Sequence, residues 1–231
     1  MGKINLLKWK KLIQDGARLL DLHVSPQQAD LFAVHASELL RWNRKTNLTS
    51  ITDPFEIAIK HFLDSIAAAP LIPAGTRFLD IGSGGGFPGI PLKIMLPSNS
   101  ALLIDASRKK TAFLQHLIRL IKLPNISAGH LRSEHLQKYP EYKNFFDVIV
   151  CRALADLKTF IETACPLLSD KGFLLAYKAN ITESEINQIQ KIECSISGNI
   201  IDWVVSTTNY RLPFIDHVRT LVVIRKLSFH E

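Results

Sequence analysis

The sequence predicts an α/β protein in which a mainly parallel sheet follows a helical N-terminal region. From residue 76 onward, short apolar segments alternate with segments of helical periodicity, the pattern of strands that helices bury on both faces. The first 70 residues look wholly helical, because their apolar residues recur at helical spacing. The chain has 231 residues, of which 47% are hydrophobic, enough for one ordinary core and a small additional region.

Two amphipathic helices are predicted in the N-terminal region. Residues 25–28 read SPQQ, a capping box with proline at the first helical position. Residues 53–56 read DPFE and repeat this device after a polar connection, RWNRKTNLTSIT. The best boundary lies at residues 70–75, so we expect a helical region at residues 1–70 and an α/β domain at residues 71–231.

The α/β domain is predicted to contain five strands with helices between them and a terminal hairpin. The last two apolar segments have no helix between them, so we expect them to form an antiparallel pair. The predicted strands are RFLDI (77–81), SALLID (100–105), NISAG (125–129), FFDVIVC (145–151), GFLLAYK (172–178), IIDWVVST (200–207) and HVRTLVVIRK (217–226), and the predicted helices lie at 91–97, 107–123, 156–168 and 182–192.

The charge of the chain favours a polyanionic partner. Lys and Arg number 28 against 21 Asp and Glu, which gives a net charge of +7. A soluble protein with a basic surface is the alternative interpretation. The basic residues fall in separate sets, which indicates a folded binding face rather than a basic arm. These sets are Lys8, Lys10, Lys11 and Arg18, then Arg41, Arg44 and Lys45, then Arg108, Lys109 and Lys110.

The cysteines and the apolar segments indicate a cytoplasmic protein without a metal. Cys151, Cys165 and Cys194 are the three cysteines and include no CxxC pair, so neither a zinc cluster nor a disulfide framework is expected. No His, Cys and Asp cluster has metal-ligand spacing. No apolar segment approaches the ~18 residues of a membrane span, and the first residues are too charged for a signal peptide.

A glycine loop follows the first predicted strand in FLDIGSGGGFPGIP, residues 78–91. Gly84, Gly86 and Gly89 satisfy GxGxxG, and Asp105 ends the next strand, as in an NAD site. Asp80, however, would repel a pyrophosphate. It suits a cationic ligand that has no phosphate.

S-adenosylmethionine is such a ligand, since it carries a sulfonium and an ammonium group. Asp80 would offset this positive charge, directly or through water. Gly82, Gly84 and Gly86 would let the backbone pass beside the methionine portion without Cβ clashes. Asp105 would accept hydrogen bonds from both ribose hydroxyls. A tight strand-to-helix turn without a ligand is the alternative interpretation of the loop.

The segment DIGSGGGFPGIPLKI, with RWNRKTNLTS and KHFLDSI before it and LRSEHL and FDVIVCRALADL after it, resembles the RsmG family, also called GidB. The resemblance extends from about Leu39 to Lys226. It implies a Rossmann-like seven-stranded S-adenosylmethionine-dependent methyltransferase fold behind a small helical N-terminal region. It also implies methylation of N7 of a guanine in bacterial 16S ribosomal RNA.

The resemblance places cofactor contacts on Gly82, Phe87, Ser133, Glu134 and Arg152. Phe87 would lie along the apolar edge of the ligand, or be a core residue. Ser133 and Glu134 would read the amino edge of adenine, although the family more often has alanine in place of Ser133 and Glu134 could instead cap a helix. Arg152 would face the transferred methyl group or the RNA, or form a surface ion pair.

The chemistry implied by the resemblance needs no general base, because N7 of neutral guanine has a lone pair and no proton. We therefore expect no catalytic residue beyond a positioning role for Arg152. An Asn/Asp-Pro-Pro-aromatic tetrapeptide, typical of exocyclic-amine methylation, is replaced by CRAL, and Cys151 is expected to be structural rather than nucleophilic. His61 and Asp64, three apart on one helix face, are expected to dock the helical region onto the domain.

The expected partner is 16S rRNA, within the 30S subunit or an assembly intermediate, and the protein is expected to be a monomer. Three other functions remain open from the sequence: a small-molecule methyltransferase, an NAD-dependent oxidoreductase, and an RNA-binding or assembly protein with a vestigial pocket. The candidate RNA-binding residues are Arg41, Arg44, Lys45, Arg108, Lys109 and Lys110.

Overall fold

The computed structural model describes residues 5–152, 156–190, 192, 194–196 and 199–227. Helices α1 (Leu6–Arg18) and α2 (Pro26–Thr46) open the chain. Ser25 caps α2 with the predicted capping box, and Asn47 ends it in a left-handed conformation. The next helix has three parts, namely α3 (Pro54–Ile57), a π-helical segment (Ala58–Leu63) and α4 (Asp64–Ile66).

The α/β part begins with β1 (Arg77–Ile81) and alternates as predicted. It continues with α5 (Gly89–Met95), β2 (Ser100–Asp105), α6 (Arg108–Ile121), β3 (Ile126–His130), α7 (Ser133–Leu136), β4 (Phe146–Arg152), α8 (Leu157–Ala164), β5 (Leu168–Lys178) and α9 (Glu183–Gln190), and then with the short β6 (Cys194–Ile196) and β7 (Asn199–Ile201), β8 (Trp203–Arg211) and β9 (Val218–Lys226).

The main sheet has the strand order β3-β2-β1-β4-β5-β9-β8. The first five strands in the chain pair in parallel, and β9 lies antiparallel between β5 and β8. This arrangement confirms the predicted fold class. The strand order reverses between β1 and β4, so the carboxyl ends of these two strands flank the crevice where such sheets bind ligands.

Two hydrophobic clusters cover the two faces of the sheet. Along β4, Val148 and Val150 belong to one cluster and Ile149 and Cys151 to the other, as the alternation of side chains along a strand requires. The N-terminal helices pack with α5 and α6 on the first face, while α8 and the end of α9 cover the second. The helical region and the sheet thus share one core.

Two features differ from the sequence-based expectations. The segment predicted as one strand at 200–207 is divided, because β6 and β7 form a separate two-stranded sheet and β8 begins at Trp203. Cys165 is disulfide-bonded, a single bond that the expectation of no disulfide framework did not include. Cys151 is free and buried, as expected of a structural cysteine, and the side chain of Cys194 lies outside the described part of the chain.

Among the described residues, no helix is both long enough and apolar enough to cross a membrane.

Candidate cofactor site

The glycine loop leaves β1 at Ile81 and is tied to the neighbouring strand at once. The N–H groups of Gly82 and Ser83 both donate to the carbonyl of Ile104, at 2.9 and 3.1 Å. Gly82 and Gly84 have positive φ angles of 76° and 55°, a region that favours glycine. A Cβ at Gly82 would meet nothing within 4 Å, and one at Gly84 would meet only the Gly82 carbonyl at 3.8 Å. These two glycines therefore face open space.

The next two glycines are closely packed by the protein, and Gly86 also has a positive φ of 92°. A Cβ at Gly85 would lie 2.8 Å from Leu39, and one at Gly86 would lie 2.9 Å from Ile90 and 3.2 Å from the ring of His35. Helix α2 and helix α5 therefore fill the space beside this part of the loop. The expectation that Gly86 faces a ligand was wrong, because its free side is packed against the protein.

Asp105 ends β2 directly beside the open side of the loop. One carboxylate oxygen accepts the N–H of Gly84 at 2.9 Å, and the other accepts the N–H of Ser107 at 2.7 Å. The residue is 8% exposed. A carboxylate has about four lone-pair positions, so both oxygens keep capacity for further donors. We name Gly82, Gly84 and Asp105 together the glycine cradle.

Asp80 lies below the loop rather than at its edge. Its side chain is fully buried, and Oδ2 accepts the N–H of Gly89, near the start of α5, at 2.9 Å. Oδ1 is buried and accepts a hydrogen bond from no described residue. Burial raises the pKa of Asp80 to about 7, against the opposing effect of the hydrogen bonds from Ser83 and Gly89. Asp80 is therefore separated from any ligand by the loop, and it gains its negative charge as the pH rises through about 7.

Phe87 lies between two histidine rings that come from the N-terminal helices. His35 stacks on one side with ring centroids 4.6 Å apart, and His61 stacks on the other at 4.7 Å. Phe62 contacts the Phe87 ring edge-on at 5.1 Å. Phe87 is only 5% exposed. The structure thus places this predicted cofactor contact mostly inside the protein, and its contact with a ligand stays a prediction.

His35 is a site residue that the sequence did not reveal. Its Nε2 lies 2.7 Å from the carbonyl of Gly85, and because a carbonyl only accepts, this nitrogen carries the proton. Complete burial lowers the pKa of His35 to about 4, so the ring is neutral. The only sequence signal is a polar residue on the apolar face of α2, three positions after Phe32 and four before Leu39.

Arg152 ends β4 and holds the π-helical segment. Its Nη1 donates to the carbonyls of Lys60 and His61 at 3.2 and 3.4 Å, and its Nη2 lies 3.3 Å from Nδ1 of His61. The guanidinium therefore adds a donor to two carbonyls of the π-helical segment. The Cζ of Arg152 also lies 5.2 Å from the centre of the Phe87 ring. Arg152 thus connects the helical region to the carboxyl edge of the sheet.

His61 is fixed as a neutral ring by its two partners. Since a guanidinium only donates, Nδ1 accepts from Arg152 and Nε2–H donates to the hydroxyl of Thr49 at 2.8 Å. Burial, and secondarily the charge of Arg152, lower the pKa of His61 to about 3. His61 is therefore unsuited to general acid–base work at neutral pH.

Asp64 is the second helical residue that contacts the sheet. Its Oδ1 accepts the hydroxyl of Tyr210 at 2.6 Å, and its Oδ2 lies 3.4 Å from Nη1 of Arg152. The hydroxyl of Tyr177 donates to the carbonyl of Ser65 at 2.6 Å. The expected docking role of His61 and Asp64 agrees with these contacts, because both residues reach strands of the main sheet.

The remaining predicted contacts lie at the carboxyl edge of β3 and beyond β4. Ser133 and Glu134 form the first turn of α7, where Ser133 is half-buried and Glu134 is exposed. Their contact with adenine stays a prediction. Residues 153–155 follow Arg152 and include the last two residues of the segment CRAL, and they lie outside the described residues.

The candidate RNA-binding residues are exposed to different degrees. Arg44, Lys45, Arg108 and Lys109 are exposed and Lys110 is half-buried. Arg41 is also exposed, but it pairs with Glu38 and lies 3.2 Å from His116 of α6. The set at 108–110 opens α6 just after Asp105 and so adjoins the glycine cradle.

The geometry fits S-adenosylmethionine better than a dinucleotide. The glycine cradle offers a backbone surface without Cβ atoms and a carboxylate at the position expected for a ribose. The buried Asp80 beneath it favours a cation and disfavours a pyrophosphate. When bound, S-adenosylmethionine supplies a methyl group on a positively charged sulfur. Among the described residues, no group of three or more His, Cys, Asp or Glu could hold a metal ion.

Comparisons with known proteins agree with this assignment. The family model GidB, rRNA small subunit methyltransferase G, matches residues 28–212. A ribosomal RNA small subunit methyltransferase G from Geotalea uraniireducens is 40% identical over 219 residues, 95% of this chain and 97% of the relative. The corresponding protein from Acetivibrio thermocellus is 37% identical over 221 residues, 95% of this chain and 89% of its own length.

Solved structures support the fold. A SAM-dependent methyltransferase from Aquifex aeolicus aligns with a TM-score of 0.55 and 15% identity over 82% of this chain and 97% of that chain. A putative transferase from Pyrococcus horikoshii aligns with a TM-score of 0.53 and 16% identity over 71% of this chain and 63% of that chain. At such low identity these similarities concern the fold alone.

Proposed function

The chain belongs to the GidB family of rRNA small subunit methyltransferases G, and from this membership we propose that it methylates N7 of a guanine in 16S ribosomal RNA with S-adenosylmethionine as the methyl donor. The observation that carries the proposal is the family match over residues 28–212, which includes the whole glycine cradle. The arrangement of Gly82, Gly84 and Asp105 supports the choice of cofactor.

The neutral and buried groups around the site suit this chemistry. N7 of guanine would form the new bond to the methyl carbon with its own lone pair while the bond from that carbon to sulfur breaks, which would leave S-adenosylhomocysteine. No proton would be released, so no side chain has to act as a base. His35 and His61, the two histidines beside the loop, have pKa values lowered to about 4 and about 3. The protein therefore contributes by aligning the reacting atoms and by excluding water. Arg152 would position the acceptor or the methionine end of the cofactor.

The finer assignments belong to the same proposal. Gly82, Gly84, Phe87, Asp105, Ser133, Glu134 and Arg152 would contact the cofactor. The acceptor would be 16S rRNA in a 30S subunit or an assembly intermediate, and the enzyme would act as a monomer. Residues 1–70 would serve as a helical region docked on a methyltransferase domain formed by residues 71–231.

The direct test is transfer of a labelled methyl group from S-adenosylmethionine to rRNA, followed by mapping of the modified nucleotide. We expect N7-methylguanosine at one position in 16S rRNA and none in 23S rRNA. Ribosomal RNA from cells with and without this protein should differ at the same position. Failure to label rRNA in free, 30S or partially assembled form would refute the proposal.

Binding measurements separate the alternatives that the sequence left open. S-adenosylhomocysteine should bind and NADH should not, which would remove the oxidoreductase. Neutralising Arg41, Arg44 and Lys45, or Arg108, Lys109 and Lys110, should weaken rRNA binding and reduce the slope of log affinity against log salt by roughly one unit per lost phosphate contact. Affinity for S-adenosylmethionine should barely change. Salt slopes equal to wild type after both sets are changed would exclude these residues from the RNA interface.

A further inference from the structure

A cavity of about 390 Å³ lies beside Arg152, outside the glycine cradle. Its wall is formed where the carboxyl ends of β4 and β5, the start of β9 and the π-helical segment meet. The polar residues of the wall are Lys60, His61, Asp64, Arg152, Tyr177, Lys178 and Arg219. The glycine cradle lies at the carboxyl ends of β1 and β2. This cavity lies at the same edge of the sheet, beside the next three strands in the sheet, β4, β5 and β9. The two spaces are therefore neighbours across Arg152.

The charge of the wall is positive. Four cationic side chains face one carboxylate, because His61 is neutral and Tyr177 donates its hydroxyl to the Ser65 carbonyl. Two acids outside the wall pair with its lysines: Glu56 lies 2.5 Å from Lys60, and Glu185 lies 2.6 Å from Lys178. Asp64 is the carboxylate of the wall. Its Oδ1 accepts a hydrogen bond from the hydroxyl of Tyr210 at 2.6 Å, and its Oδ2 lies 3.4 Å from Nη1 of Arg152. With Glu56 and Glu185 counted, four cations face three carboxylates, so the cavity retains one excess positive charge.

Arg219 has the longest ion pair of the four cations in the wall, so its charge is the least compensated. Its Nε is buried and donates to no described residue, and the nearest acidic oxygen, Oδ1 of Asp64, is 3.7 Å away. A buried donor without an acceptor costs free energy, and such donors are uncommon in folded proteins. The Arg219 side chain as a whole lines the cavity and is 31% exposed, so an anion there can pair with the guanidinium.

We propose that this cavity binds a backbone phosphate of the acceptor RNA next to the guanine that is methylated, with Lys178 and Arg219 as its principal contacts. The inference rests on the proposed function and names where that substrate is held. A phosphate is favoured over the amino-acid end of the cofactor, because that end carries an ammonium group as well as a carboxylate and the cationic wall would repel the ammonium. A phosphate bound beside Arg152 would bring its own nucleotide to the crevice that the glycine cradle adjoins.

The experiment compares Lys178→Gln, Arg219→Gln and the double variant with the wild type. Lys171→Gln is the matched control, since Lys171 is exposed and lies on the same strand as Lys178 but near the opposite edge of the sheet. Affinity for a 16S rRNA transcript is measured without cofactor at several salt concentrations, and affinity for S-adenosylmethionine is measured by calorimetry. Thermal unfolding of each variant verifies the fold.

We expect each cavity variant to bind RNA roughly three- to tenfold more weakly at about 0.1 M salt and to lower the salt slope by about one unit. The double variant should lower the salt slope by about two units, and its affinity for S-adenosylmethionine should stay within about twofold of wild type. Unchanged RNA affinity and slope in Lys178→Gln would overturn the proposal, as would an equal loss in Lys171→Gln. A loss of cofactor affinity without a loss of RNA affinity would assign the cavity to the cofactor instead. RNA affinity needs no turnover, so an inactive wild-type enzyme would refute the proposed function while this measurement still decides on the cavity.

Discussion

The buried carboxyl group of Asp80 makes cofactor affinity depend on pH. In the free protein its pKa is raised to about 7 by burial, so the group is mostly protonated at pH 6 and mostly ionised at pH 8. A cationic ligand above it favours the ionised form and thereby releases a proton on binding. Affinity for S-adenosylmethionine should therefore rise as the pH rises through 7.

The size of the effect follows from the pKa. We take the pKa of Asp80 to fall well below 6 in the complex, so that only the ionised free protein binds. The ionised fraction of the free protein rises about tenfold between pH 6 and pH 8. The dissociation constant should therefore fall about tenfold over this range, which corresponds to about 1.4 kcal/mol. In Asp80→Asn the side-chain oxygen can still accept the N–H of Gly89, but the titrating group is removed. The amino group of the ligand titrates identically with both proteins, so the ratio of the two dissociation constants isolates Asp80.

Isothermal titration calorimetry at several pH values, in buffers of different ionisation enthalpy, measures both the affinity and the proton released. The neutral ligand 5′-methylthioadenosine is the control, and its affinity for wild type should change little over the same range. A tenfold slope that persists in Asp80→Asn would show that another group is responsible. A wild-type affinity that is flat from pH 6 to 8 would refute the coupling between Asp80 and the ligand.

Other predictions concern the glycine cradle and the residues that hold the loop. Gly84→Val should abolish S-adenosylmethionine binding in calorimetry, because the side chain enters the open space of the cradle, while circular dichroism shows a folded protein; full activity would refute the assignment. Asp105→Ala should weaken binding by about 1.5–3 kcal/mol, and an unchanged dissociation constant would move the ribose site elsewhere. The folded-state pKa values of His35 and His61, about 4 and about 3, lie below the ordinary 6.5, so the unfolded state binds more protons and stability should fall by about 1.6 kcal/mol per histidine from pH 6.5 to 5. His35→Leu should lose its share of this slope in denaturant titrations, and an unchanged slope would contradict the buried neutral ring. Arg152→Ala should cut single-turnover methylation ten- to a thousandfold, with poor rescue by Arg152→Lys, and should also lower the melting temperature; a wild-type rate in the alanine variant would leave Arg152 a structural role only.

The parts of the site that the sequence predicted are those formed by consecutive residues. The glycine loop and Asp105 follow directly from β1 and β2, and adjacent parallel strands place their carboxyl ends together. The strand pattern of the sequence was therefore sufficient to predict that Gly84 and Asp105 lie close together. The fold class was predictable for the same reason, since buried strands and amphipathic helices alternate along the chain.

The parts that the sequence did not predict depend on contacts between distant segments. His35 touches the Gly85 carbonyl from 50 residues away, and no local pattern shows which polar residue of α2 will face the loop. The depth of Asp80 depends on the position of α5 above it. Arg152 donates to the carbonyls of Lys60 and His61 because these residues lie in the π-helical segment. No pattern in the sequence distinguishes this segment from an ordinary α-helix.

The packing of α2 against Gly85 and Gly86 bears on how such enzymes can be divided or recombined. The glycine loop takes its shape from a segment placed before the boundary at residue 70, since Leu39 and His35 occupy the sides of those two glycines. Cutting the chain at that boundary would leave a complete set of strands but would remove one side of the loop. Residues 71–231 should therefore not be moved into another protein on their own, and a chimera that keeps this loop must also contain α2.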